Sequence, residues 1–208
     1  MRGFNALRPT TYQSIWDYGA DGGYFVTICT MDRIPYFGSI RPDLDVLPNL
    51  NPGSGRARDD VGPGHFHNDV GPGHALDLRD ITTYLIPTAA AHIAFQCWQE
   101  IPGHYPFVHI DEMVIMPNHL HGILFFDKPG QSDWQPNRFG PQKDNLAVVL
   151  GSFKAAVSRV VRKRGVSFEW QTRYHDRVLR NDTEYQIRLQ YMWNNPLHWE
   201  HDDLYLPS

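Results

Sequence analysis

The order of elements in the sequence predicts an α+β chain: a split βαβ, ferredoxin-like antiparallel sheet with an added C-terminal helix. Three observations carry this. Runs of strand length, rich in β-branched and aromatic residues, stand at 24–30 (YFVTICT), 107–116 (FVHIDEMVIM) and 119–126 (HLHGILFF). Apolar residues at helical spacing separate the first run from the second, and the third from a fourth strand. Only Pro117-Asn118 separates the second run from the third, which makes those two an antiparallel hairpin.

Each element follows from local chemistry. Residues 1–20 are polar and irregular, and 24–30 form a strand. Residues 31–40 pass through Arg33, Pro35 and Gly38 and are expected to bend back on that strand as a ragged hairpin. Between Pro48 and Gly73, ten of 26 residues are Gly or Pro, and DVGPGH occurs twice, at 60–65 and 69–74. Such composition offers too little apolar surface to offset ordering entropy. Residues 41–79 are therefore expected to be a flexible insertion within a single domain spanning 1–208. Its His65, His67 and His74 are adventitious metal binders at most.

Residues 80–100 read as one helix, with Ile81, Leu85, Ala89, Ile93 and Trp98 at helical spacing and Pro87 as a kink or first-turn residue. Residues 128–143 are a polar loop. Asp144 or Asn145 caps the next helix. Its stripe of Leu146, Val149, Leu150, Phe153, Val157, Val160 and Val161 runs to about Arg164, and Gly165 stops it. Residues 168–179 contain the fourth strand. Asn181, Asp182 or Thr183 caps a last helix that ends near Asn195, because Pro196 follows.

Composition bounds the function. Hydrophobic residues make up 41% and no run reaches 18 apolar residues, so no membrane span is expected. The first residues lack the apolar core of a signal peptide. Cys29 and Cys97 stand alone without CxxC spacing, which argues against a disulfide scaffold or a cysteine zinc site and for a reducing cytoplasm. The net charge of −4 hides an asymmetry. Residues 138–180 hold ten Lys/Arg against three acids, a local +7 that leaves −11 for the rest. A one-sided basic segment can bind phosphates in a chain that is acidic overall. The alternative is a solvated helix face with basic residues near its C-terminus, where the helix dipole favours them.

The segment Met116-Pro-Asn-His-Leu-His-Gly122 carries the chemistry. On a strand, side chains alternate between faces, so His119 and His121 share one face while Leu120 anchors the other. Two imidazoles then converge on one point, and two ligands leave most of a metal's coordination sphere open, as a catalytic ion requires. The alternative is two partly exposed strand histidines. On the last helix Tyr191 and Asn195 are four apart and share a face. Tyr191 offers a nucleophilic oxygen once a nearby cation helps remove its proton, and Asn195 a neutral third ligand. Core packing and helix termination are the competing roles. Tyr174, Tyr185 and Tyr205 are rival tyrosines. His175 and Asp176 are read as structural, with support of the site as the alternative.

In order along the chain, YFVTICT, VIMPNHLHGI, GSFKAAVSRVVRK, WQTRYHDRVLR and EYQIRLQYMWNNPLHW resemble the single-tyrosine HUH transposases. They resemble most the REP-associated tyrosine transposases, with their MPNHxH, WQ…YHD and Y…NP motifs. The likeness covers roughly residues 18–40 and 80–200. It implies a Mg²⁺- or Mn²⁺-dependent transposase that nicks and rejoins single-stranded DNA containing hairpins, working in the cytoplasm at the nucleoid as a monomer or homodimer. It implies metal binding at His119 and His121 and a nucleophile at Tyr191, which would leave a 5′-phosphotyrosine and a free 3′-OH. Asn195 stands where family members carry a polar ligand, often Gln. Lys154, Arg162, Lys163, Arg164, Arg173, Arg177 and Arg180 are the candidate DNA contacts. Two other classes fit the same residues: a nucleic-acid-binding module without cleavage, and a metal hydrolase that uses water.

Overall fold

The computed structural model describes residues 20–40, 85–128 and 144–206. The expected insertion at 41–79 lies outside them, as do residues 1–19 and most of the 128–143 loop. β1 (Gly22–Cys29) is buried along its whole length. It is the inner strand of a four-stranded antiparallel sheet with β4 (Val108–Met116), β5 (His119–Phe126) and β6 (His175–Leu179), in the order β4-β5-β1-β6. In chain order the four strands therefore lie 2-3-1-4, the arrangement of the split βαβ sheet that the sequence predicts.

Alternation along the strands sorts the core into two faces. Tyr24, Val26, Ile28, Leu120, Leu124 and Val178 point to one side. There they meet α1 (Ala89–Gln99) and α3 (Leu146–Lys163), which also touch each other. Phe25, Val114, Met116, Ile123 and Leu179 point to the other side and meet Leu189 and Met192 of α4 (Asp182–Asn194). The added C-terminal helix thus covers the second sheet face. α3 starts where Asn145 accepts the Val148 amide at 2.9 Å and stops at Gly165, which takes φ +81°. α4 starts where Asn181 accepts the Glu184 amide at 2.9 Å, and Pro196 opens a 3₁₀ turn, Pro196–His201, directly after it.

Gly122 has a steric reason. It faces the helical layer, and a Cβ there would collide with the Trp98 ring of α1.

The sequence expectations fail at two places. Residues 31–40 do not return along β1, because β5 and β6 already occupy both of its edges. Instead β2 (Gly38–Ile40) pairs with β3 (Leu85–Pro87) in a separate two-stranded ladder. The single helix expected over 80–100 begins only at Ala89. Pro87 biases Ile86 toward extended backbone, and Thr88 caps α1 through the Ala91 amide at 3.4 Å. A short α2 (Ile101–His104) follows. The fourth strand lies within 168–179, as expected, and occupies its last five residues. Lys154 Nζ draws the Gln171 and Thr172 carbonyls toward α3 at 2.6 and 3.1 Å, so the ladder starts at His175 and Tyr174 precedes it.

Candidate functional site

Register puts His119 and His121 of β5 opposite Cys29 and Thr27 of β1. Both face α4, and Leu120 between them packs into the helical layer, as the alternation predicts. Both imidazoles are completely buried, and each is held by a polar neighbour. Asn118 Nδ2 donates to the Leu204 carbonyl at 2.8 Å, which turns its Oδ1 toward His119 Nδ1, also at 2.8 Å. An amide oxygen only accepts, so His119 carries its proton on Nδ1 and keeps a lone pair on Nε2. His121 Nδ1 lies 2.8 Å from Thr27 Oγ1, and the two Nε2 atoms face each other at 3.1 Å. In this arrangement Thr27 donates to His121 Nδ1, and His121 Nε2–H donates to His119 Nε2. Rotating the Thr27 hydroxyl and moving one proton across the His121 ring would aim two lone pairs at one point.

These residues fit a divalent cation. Atoms 3.1 Å apart match two donors placed about 2.1 Å from one ion at about a right angle. The ligand form of imidazole is neutral. Burial, then the nearby Arg33 charge, hold His119 down at about 3. Burial, then the neighbouring His119, hold His121 well below the ordinary range. Among the described residues no group of three or more His, Cys, Asp and Glu side chains gathers as a metal cluster. The third donor expected from the sequence is the neutral Asn195 amide. Asn195, buried at the C-terminal cap of α4, donates Nδ2 to Asp202 Oδ2 at 2.5 Å, while its buried Oδ1 finds no partner among the described residues.

Tyr191 meets the pair edge-on. Its ring lies 5.1 Å from the His121 ring and 6.1 Å from that of Phe25, which stacks on His121. Its hydroxyl is directed to Asp202 Oδ2 at 3.5 Å. Burial and the Asp202 carboxylate push the phenol up to about 12. Tyr191, His121, Asn195, Thr27, His175 and Asp202 all line one open cavity of about 740 Å³. His119 lies behind, against the Trp199 ring at 5.9 Å.

No family model matches the chain. An uncharacterized protein of Haemophilus influenzae is 30% identical over 200 residues, an alignment covering 92% of this chain and 89% of that protein. The chain belongs to that protein's family. A solved structure described as a REP-associated tyrosine transposase bound to a REP hairpin aligns at a TM-score of 0.47 and 14% identity, over 92% of this chain and 74% of that one.

The rival tyrosines stand elsewhere. The Tyr185 hydroxyl donates to Asp111 at 2.7 Å, and Tyr205 packs its ring on Trp199. His175, expected to be structural, sits opposite Thr27 and lines the cavity, whereas Asp176 pairs with Val26 on the helical side. The sheet divides the basic candidates. Lys154, Arg162, Lys163 and Arg164 belong to α3 or its cap, on the face away from the histidines. Lys154 is engaged with two carbonyls, and Arg162 with the Phe168 carbonyl at 2.8 Å. Arg177 lies opposite Phe25, hence on the histidine side, and is exposed. Arg173 is exposed just before β6, and Arg180 pairs with Glu184 at 3.6 Å.

Three residues of the site escaped sequence reading. Arg188 lies over the Phe25 ring at 5.4 Å, and its place three residues before Tyr191 on one helix was a usable signal. Asp202 and Arg33 had none, because the turn after Pro196 and the contact of Arg33 with the Asp203 carbonyl at 3.0 Å are tertiary.

Proposed function

We propose that this chain is a metal-dependent single-stranded DNA nicking and rejoining enzyme of the REP-associated tyrosine transposase kind, with Tyr191 as nucleophile. The observation that carries this reading is the paired Nε2 atoms of His119 and His121 at 3.1 Å with the Tyr191 ring against the second imidazole. The quoted sequence motifs support the same residues in the same roles.

His119, His121 and the Asn195 carbonyl oxygen would hold Mg²⁺ or Mn²⁺. When bound, such an ion polarises the scissile phosphate, offsets its developing charge and favours loss of the phenolic proton. Asn118 and Thr27 keep the two imidazoles oriented. Packing of Tyr191 against Phe25 and His121 holds the phenol within the tolerance that in-line attack demands. Its oxygen forms a bond to phosphorus as the bond to the 3′ oxygen breaks. The products are a 5′-phosphotyrosine and a free 3′-OH that leaves with the proton. The phosphodiester energy is kept in the new ester, so rejoining needs no ATP. The cations on the histidine side, exposed Arg177 and half-buried Arg188, and those of the 154–180 segment supply phosphate contacts.

The test is incubation with end-labelled single-stranded hairpin DNA and Mn²⁺ or Mg²⁺, resolved on a denaturing gel. Wild type gives a covalent protein–DNA band and Tyr191→Phe gives none. Cleavage without any covalent band points to water as nucleophile, and binding without cleavage to a recognition module.

A further inference from the structure

The edge strand β4 carries one residue too many. Ile110 pairs with Leu124 and Met113 with Gly122, so three steps on β4 match two on β5. Asp111 and Glu112 together oppose Ile123, which is a β-bulge. In regular pleating, neighbours point to opposite faces, and one of these carboxylates would enter the apolar layer under α1 and α3. The bulge instead lets both face the side on which Ile123 lies, the side of α4. There the Tyr185 hydroxyl donates to Asp111 Oδ2 at 2.7 Å, and Glu112 faces the Trp193 side chain.

These two contacts bracket Tyr191, six residues after Tyr185 and two before Trp193. At 100° per residue Tyr185 and Trp193 lie about 80° apart on the helix, and Tyr191 falls on a different side, toward His121. The apolar grip of α4 on the sheet is narrow, since of its thirteen residues Leu189 and Met192 are the buried ones. An apolar contact of that size lets a helix slide or roll. A directional bond to a carboxylate does not, and bonds to ionised acceptors are the stronger kind.

We propose that the Asp111–Glu112 bulge is the positioning device for the Tyr191 helix, its two carboxylates clamping α4 through Tyr185 and Trp193 on either side of the nucleophile. The inference rests on the reading of Tyr191 as nucleophile. The site it names is separate: none of the four residues touches the histidine pair or the cavity. Burial pushes both carboxyls above their ordinary range, and Tyr185 and Trp193 counter part of that shift.

The experiment uses the full chain and two readouts: amide hydrogen exchange across α4, and single-turnover cleavage of labelled hairpin DNA in Mn²⁺ with its Kd measured in parallel. In Asp111→Ala/Glu112→Ala, exchange in α4 should rise about tenfold, the size set by one lost charge-assisted bond. Exchange in α3 and β5 should stay unchanged. The cleavage rate should fall about tenfold with Kd within twofold. Tyr185→Phe, which removes one hydroxyl and no packing, should reproduce part of the effect. Asp111→Asn, which keeps an acceptor oxygen for Tyr185, should restore most of it. Unchanged α4 exchange in the double variant and in Tyr185→Phe overturns the clamp whatever the DNA does. Faster α4 exchange with an undiminished cleavage rate overturns its role in positioning. A wild type that never forms the covalent adduct overturns the nucleophile assignment instead, and the exchange data then judge the clamp alone.

Discussion

Asn195 Nδ2 donates to Asp202 Oδ2 at 2.5 Å, and this bond decides which end of a buried amide stays without a partner among the described residues. It is the oxygen, the end that a hard cation takes.

Mn²⁺ titrated into the protein and followed by calorimetry should show one site. His119→Ala/His121→Ala should lose it. Asn195→Ala should weaken it by roughly tenfold or more, in the range seen when one supporting group of a metal site is removed. Equal affinity in wild type and the double variant would refute the metal site.

Stability of the metal-free protein should fall as pH drops below about 6.5. The unfolded chain protonates both histidines there, while the folded chain keeps His119 neutral down to about 3 and His121 neutral well below its ordinary range. The unfolded state therefore binds more protons. Each imidazole then costs up to about 1.4 kcal/mol per pH unit. Asp111 and Glu112, whose folded carboxyls titrate high, act in the opposite direction and soften the loss. Urea melts at pH 7, 6 and 5 check this, and His119→Gln/His121→Gln should flatten the profile.

Tyr191→Phe should leave stability within about 0.5 kcal/mol of wild type. The ring contacts survive, and the lost hydroxyl bond is long at 3.5 Å. Its denaturant midpoint should overlie that of wild type while the covalent DNA band disappears. A large drop in midpoint would make Tyr191 a packing residue first.

Charge reversal should divide the basic residues by sheet face. A phosphate at the histidine pair brings DNA to the α4 side, where Arg177 and Arg188 lie. Arg177→Glu/Arg188→Glu should weaken binding and reduce the slope of log K against log salt by one to two counterions, about 0.7 each for a single strand. Lys163→Glu/Arg164→Glu, on α3 behind the sheet, should do less. The reverse ranking would route the DNA over α3.

What the sequence made readable was what depends on one element at a time. The His119-Leu120-His121 alternation, the α3 stripe, and the Asn145 and Asn181 caps are local, and each stands where expected. What it hid depends on partners. The 31–40 segment could not show that β6, about 150 residues on, would occupy the free edge of β1. FVHIDEMVIM reads as a plain strand because a bulge shows only against the register of β5. Asp202 joins the site through a turn that no periodicity marks. Tyr191 and Asn195 were visible together because four residues make one helical turn.

The collision that excludes a Cβ at Gly122 links two distant positions, since the six-membered ring of Trp98 takes the space directly over the residue after the second histidine. Positions 98 and 122 therefore share one volume. A family member with alanine or serine after its histidine pair should carry a smaller residue at the position of Trp98. The two sites should drift through sequence space as a couple, and either change alone should be the rarer intermediate. The chemistry of the histidines thus constrains, through a single glycine, the choice of residue on a helix that never touches the cavity.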